Sequence, residues 1–209
     1  MDITVQPTMG NGCGGWDSTD CQGTPFCPPR CPRFVDKLGT PLLFLALADT
    51  PVDHDALADL YDCGEAGHSL SFPPYSTRTS IESWLSGLVE RGRNTVVVDG
   101  ERLVGHAVLT PATAEEPEFG VFVDPDYRAR GLASELLRHA IAYAAHDGYE
   151  GIVMAVEREN RAMRSIATAH GFEVAETPDP DDWIGFVSYR LPLADRRDPD
   201  LPGRVPASR

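Results

Sequence analysis

The stretch from Val121 to Ser134 constrains this chain more than any other part of it. An apolar run, Val121-Phe122-Val123, ends at Asp124-Pro125, and a turn carrying Arg128 and Arg130 follows. Gly131 then opens a segment in which Leu132, Leu136, Leu137, Ala140, Ile141 and Ala144 recur at helical spacing, and Gly148 closes it. A strand that passes through a basic turn into a long amphipathic helix predicts an anion site. The first N–H groups of such a helix have no intrahelical partner and sit at the positive end of its dipole. Gly131 lets backbone approach a phosphate closely, the small Ala133 leaves room beside it, and Arg128 and Arg130 add charge. A plain turn with solvated arginines is the competing reading. No G-x-G-x-x-G string stands at this turn and no G-x-x-x-x-G-K-[ST] string is present, which argues against those two phosphate sites here.

The surrounding pattern alternates between strands and helices. Leu42 to Ala48 reads as a short strand, and Thr50-Pro51-Val52-Asp53 as a helix start whose apolar stripe is Leu57, Leu60 and Tyr61. Ile81, Trp84, Leu85, Leu88 and Val89 mark a second helix that Gly92 stops. Thr95–Val98 and Leu103–Leu109 flank Asp99-Gly100, a hairpin signal. Glu118–Val123 is the fourth strand, and the continuously apolar Ile152–Val156 is the fifth. Asn160 is placed to cap a helix that buries Met163, Ile166 and Ala167 and ends at Gly171. Phe172–Val174 and Gly185–Leu191 supply the last strands. The order β-α-α-β-β-β-α-β-α-β-β predicts one α/β domain around a mixed sheet.

Together these residues resemble the GNAT superfamily of acetyltransferases. Arg128, Gly131 and Ala133 match its signature [Q/R]-x-x-G-x-[G/A], and Asn160-Arg161-Ala162 through His170-Gly171-Phe172 match its N-x-A…G-F segment. The resemblance implies a single domain with a mixed, mostly antiparallel sheet, splayed between the fourth and fifth strands, with acetyl-CoA as co-substrate. On that resemblance the backbone of Val121, Phe122 and Val123 lines the pantetheine arm, and the amides from Ala129 through Arg130, Gly131, Leu132 and Ala133 to Ser134 hold the pyrophosphate. An N–H of the fourth strand polarises the thioester carbonyl. Asn160 either contacts the coenzyme or only caps its helix.

An amine that attacks a thioester arrives largely protonated near neutral pH and must lose a proton to a base. Many family members carry a glutamate where this chain has Glu118, so Glu118 is the candidate base; a solvated acid in the run Glu115-Glu116-Pro117-Glu118 is the alternative. Relatives often use a tyrosine in an L-Y-x-x-x-G-F string as the general acid. Here Ala167 holds that position, leaving Ser165, Thr168 or a water. The tyrosine-free variant resembles the branches that acetylate protein lysines and ribosomal-protein N-termini, so the expected acceptor is a primary amine on a protein or a small molecule. A non-catalytic acyl-CoA sensor on the same fold is the second reading.

Outside this region the chain changes character. Residues 1–40 hold four cysteines, Cys13, Cys21, Cys27 and Cys31, amid Gly and Pro, and are expected to be an extension; 41–193 form the catalytic domain, and 194–209 a disordered, solvated tail. Four cysteine ligands are compatible with a structural zinc ion, and a zinc-organised interaction protein is a third reading, although C-x2-C knuckles are missing. Net charge is −14, which disfavours nucleic acid as a partner. Of the 18 basic residues only Lys37 is a lysine; low lysine with dispersed acids resembles haloarchaeal proteins, including a cysteine-containing extension seen in some. No apolar run reaches the roughly 20 residues of a membrane span, and no secretory signal is visible, so a cytoplasmic location is expected. The oligomeric state stays open, with a dimer compatible.

Overall fold

The computed structural model describes residues 33–47, 54–62, 77–175 and 185–193. They form one eight-stranded, open sheet with four helices. The elements are β1 (Arg33–Val35), β2 (Pro41–Ala46), α1 (His54–Tyr61), α2 (Arg78–Arg91), β3 (Arg93–Asp99), β4 (Arg102–Thr110), β5 (Glu118–Val123), α3 (Leu132–Asp147), β6 (Gly151–Glu157), α4 (Arg161–Ala169), β7 (Glu173–Val174) and β8 (Phe186–Pro192). The strand order is β1-β2-β3-β4-β5-β6-β8-β7. Every pairing is antiparallel except β5 with β6.

Each side of the sheet buries its own core. On one side Leu136, Leu137 and Ile141 of α3 and Ala167 of α4 pack on Phe44, Val97, Phe119, Ile152 and Met154. On the other, Leu57 and Tyr61 of α1 and Ile81, Leu85 and Leu88 of α2 pack on Val96, Val108 and Phe122. Period-two alternation produces this division: Val96 and Val97 are neighbours on β3 yet face opposite layers. The local signals act as expected. Thr77 caps α2 by accepting from Ser80 N, and Asn160 caps α4 by accepting from Met163 N at 3.0 Å. Gly100, at φ 57°, makes the β3–β4 turn.

Three differences from the sequence reading matter for the site. First, β1 lies within residues 1–40, the segment assigned to an extension, yet it pairs with β2 through Arg33↔Leu43, Phe34↔Leu42 and Val35↔Pro41. Three residues followed by a turn are too short to show a period against a Gly- and Pro-rich background. Second, of the α4 residues expected to be buried, only Ala167 is fully so; Met163 and Ile166 are partly buried against the core and also line a cavity. Third, strand edges shift by one or two residues, with β3 beginning at Arg93 rather than Thr95. The expected helix start at Thr50–Asp53, the four N-terminal cysteines and the 194–209 tail lie outside the described residues.

Candidate functional site

The parallel pair β5–β6 joins at a single register, Glu118↔Val153, backed by Val153 N donating to Pro117 O at 3.1 Å. β5 stays paired with β4 along its whole length, from Thr110↔Glu118 to Gly105↔Val123. Beyond Glu118 its other edge has no ladder partner among the described residues, so the sheet opens as a V towards Val123. A strand rises ~3.3 Å per residue, so the five steps from Glu118 to Val123 span about 16 Å.

The open end meets the start of α3. Asp124 caps a short 3-10 turn, Pro125–Tyr127, by accepting from Asp126 N at 2.9 Å, and is held by Arg102 at 2.8 Å. Ala129 then adopts φ 59° and Gly131 φ 100°, two left-handed residues that reverse the chain before the helix. Gly131 stands at the N-cap position of α3, and no side chain caps this end. The first intrahelical bond is Glu135 N to Gly131 O, so the amides of Leu132, Ala133 and Ser134 are left for another acceptor.

A cavity of about 560 Å³ fills the space between these parts. Val121, Phe122 and Val123 form its strand wall, and Arg128, Ala129, Gly131, Leu132, Ala133 and Ser134 its turn-and-helix wall. Asn160, Ala162, Met163 and Ile166 of the α4 region close the far side. Asn160 thus both caps α4 and borders the cavity.

Two expected site residues stand elsewhere. Arg130 does not line the cavity: its guanidinium lies 4.4 Å from the centre of the Tyr127 ring and 3.4 Å from Asp36 Oδ2. Tyr127 is fixed in turn by donating to Asp99 Oδ2 at 2.6 Å, a bond that raises the phenol above its ordinary value. Glu118 sits at the closed end of the V. It touches solvent, but the strands around its carboxyl strip away part of its hydration and push its pKa up, against the Ala155 backbone N–H that lowers it. Its neighbour Glu116 is engaged separately, by Arg190 of β8.

Ser165 and Thr168, the sequence candidates for the general acid, border a different, shallow groove with Arg161, Arg164 and Tyr189. Thr168 donates to Arg164 O at 3.1 Å. Ala167 is completely buried in the core between α4 and the sheet. Sequence reasoning missed Lys37, which lines the cavity from the β1–β2 turn. Among the described residues no cluster of three His, Cys, Asp or Glu side chains is fit to hold a metal ion. Cys13, Cys21, Cys27 and Cys31 fall outside them. No described helix is long and apolar enough to cross a membrane.

An open mixed sheet that parts beside an uncapped helix start defines an α/β protein with an anion-receptive cleft between two strands. The chain belongs to the acetyltransferase (GNAT) family, whose model matches residues 55–172. It is 35% identical over 97 residues to an acetyltransferase of Pseudomonas aeruginosa, covering 46% of this chain and 50% of the relative, so it spans about half the length of the curated relative it matches. Among solved structures it resembles the GNAT domain of S. lividans PAT, with a TM-score of 0.61 at 20% identity over 77% of this chain and 96% of that one. It also resembles a ribosomal-protein alpha-N-acetyltransferase in complex with coenzyme A, with a TM-score of 0.56 at 16% identity over 74% and 96%. At such identities these likenesses speak for the fold.

Proposed function

We propose that this protein transfers the acetyl group of acetyl-CoA to a primary amine, on a protein or a small molecule, within a ternary complex. The observation that carries the reading is the V between β5 and β6 opening onto the uncapped amides of α3. A ligand with a phosphate head and a long thin arm fits such a cleft, head at the amides and arm along β5. Backbone N–H groups from Ala129 to Ser134 hold the diphosphate, and Val121 to Val123 line the arm. Running from the Val123 end, the arm carries the thioester towards Glu118 at the closed end.

At that end a β5 N–H polarises the thioester carbonyl, and Glu118 takes the proton from the attacking amine, directly or through a water. The nitrogen–carbon bond forms, the carbon–sulfur bond breaks, and the thiolate leaves. A raised pKa suits Glu118 to this role, because a base works best when its pKa lies near the working pH. The leaving thiolate has an ordinary pKa of ~8.5 and can take its proton from water without a dedicated acid.

A coenzyme-binding sensor without turnover is the second reading, favoured by Ala167, which stands buried where many family members are expected to carry a tyrosine. The dispersed acidity and near-absence of lysine support a cytoplasmic protein adapted to concentrated salt, where a Debye length of ~3 Å screens its self-repulsion. A zinc ion held by the N-terminal cysteines remains part of the proposal, tested by metal analysis of the purified protein.

Calorimetry with acetyl-CoA in molar potassium chloride tests the central claim. Binding by the parent, lost in Gly131→Glu, is the expected result, since a carboxylate there repels the phosphates and blocks the turn. A folded parent that binds nothing overturns the coenzyme reading. Binding without acetyl transfer across an amine panel favours the sensor.

A further inference from the structure

We propose that Lys37, at the tip of the β1–β2 hairpin, binds the diphosphate of the coenzyme, supplying from a separate hairpin the charge that Arg130 does not. The inference rests on the coenzyme reading of the cleft.

Two contacts dock the hairpin on the turn before α3, and the hairpin's own bonds brace the residue that makes one of them. Asp36, buried, accepts from Leu38 N and Thr40 N at 2.8 Å each, which ties off the β1–β2 turn. Its other carboxylate oxygen faces the Arg130 guanidinium at 3.4 Å. Burial alone raises this carboxyl, but the two backbone donors and Arg130 outweigh it and hold the pKa below the ordinary value, so Asp36 is charged. The Lys37 N–H donates to Arg130 O at 3.1 Å. The hairpin and the phosphate turn are thereby one unit.

This arrangement redistributes charge. Arg130 is paired with Asp36 and lies over the Tyr127 ring, and it is not among the residues that line the cavity. Lys37 takes its place. The Lys37 stem crosses directly above Gly131, so that a Cβ built on that glycine would meet Lys37 Cε at 3.8 Å and Phe34 Cζ at 3.5 Å. The ammonium is one bond farther on, and Lys37 lines the same cavity as Leu132, Ala133 and Ser134 at the uncapped start of α3. Among the described residues its side chain makes no ion pair or hydrogen bond. A chain with a net charge of −14 repels a polyanionic ligand at long range, so a cation at the point of contact has work to do.

Lys37→Met tests this, because methionine keeps an apolar stem over Gly131 while removing the charge, and the backbone bond to Arg130 is untouched. Acetyl-CoA and acetyl-dephospho-CoA, which lacks the 3′-phosphate, are titrated into parent and variant at the same salt. The expected result is about tenfold weaker binding of both ligands, the size of one hydrogen bond to a charged group, with a shallower salt dependence and recovery in Lys37→Arg. Unchanged affinity overturns the proposal. So does a loss seen with acetyl-CoA alone, which would move the ammonium to the 3′-phosphate. A parent that binds neither ligand defeats the coenzyme reading and this proposal with it, whereas a parent that binds and a variant that binds equally well defeat this proposal alone. Because Lys37 is the single lysine of the chain, reductive methylation read by mass on its peptide gives a second measure. Bound acetyl-CoA is expected to protect it, and equal labelling with and without ligand would count against the contact.

Discussion

The Ser134 hydroxyl lies 2.8 Å from Nε2 of His170, joining the first turn of α3 to the C-cap residue of α4. Both helices contribute residues to the wall of the cavity, and this bond ties them together. Ser134→Ala removes a part-buried hydrogen bond and is expected to cost ~1 kcal/mol of stability, measured by denaturant unfolding. Because the backbone N–H of residue 134 remains, acetyl-CoA affinity should change by less than about threefold. A loss of binding with no loss of stability would mean that the hydroxyl itself contacts the ligand.

Glu118→Gln separates chemistry from binding. Removal of a general base lowers turnover by about 10²- to 10⁴-fold, while coenzyme affinity should hold, since Glu118 does not line the cavity. The pH dependence has a definite sign. Burial raises this carboxyl, so the fall in kcat/KM on acidification should begin above the ordinary glutamate range. A group whose folded pKa is raised favours folding in its protonated form, and that contribution is lost as pH rises through the folded pKa. At neutral pH the charge of Glu118 therefore opposes folding slightly, and Glu118→Gln should be at least as stable as the parent. A destabilised, fully active variant would assign Glu118 a structural role.

His106 supplies a second pH prediction, on stability. It is wholly buried on β4, with Nδ1 2.7 Å from Tyr61 Oη and Nε2 2.9 Å from Asn94 Oδ1. The Asn94 oxygen can only accept, so Nε2 carries the proton and Nδ1 accepts from the tyrosine. Burial lowers its pKa to about 3. The unfolded chain takes up a proton near pH 6.5 and the folded one does not, so stability present above pH 6.5 is lost as pH falls towards 3. Denaturant midpoints between pH 7 and 4 should show this decline, and His106→Leu should flatten it. The same variant is expected to lose ~2–3 kcal/mol at pH 7, because the Tyr61 hydroxyl and the Asn94 oxygen each lose their His106 partner in a buried site.

Ala167→Tyr introduces the tyrosine that the family resemblance leads one to expect at this position. The site has no exposure, so the ring must displace packed neighbours of α4 and the sheet, at an expected cost of ~1–3 kcal/mol in thermal or chemical unfolding. Turnover should not rise, since water already protonates the thiolate in the proposed mechanism. A stable variant with faster acetyl transfer would show that a missing acid limits the proposed reaction.

Much of this architecture was legible before any coordinate, wherever the signal is local. The spacing of Leu132, Leu136, Leu137 and Ile141 defines α3, Asp99-Gly100 defines the β3–β4 hairpin, and Asn160 caps α4, because each depends only on residues within a few positions along the chain. The turn from Asp124 to Gly131 was readable as an uncapped helix start, and so as a candidate anion site, for the same reason: it is a property of consecutive residues. What the sequence could not say is which charge faces the cavity. Arg128 and Arg130 look equivalent in the string, and only the docking of Asp36, 94 positions away, draws Arg130 aside and sets Lys37 over Gly131. Nor could helical period tell that Met163 and Ile166 face an open cleft while Ala167 faces the core, since burial depends on what lies opposite. The single register between β5 and β6 is likewise a relation between strands 35 residues apart, at Glu118 and Val153. Periodicity and capping are written in neighbours along the chain; charge pairing, cavity and splay exist only once distant segments meet.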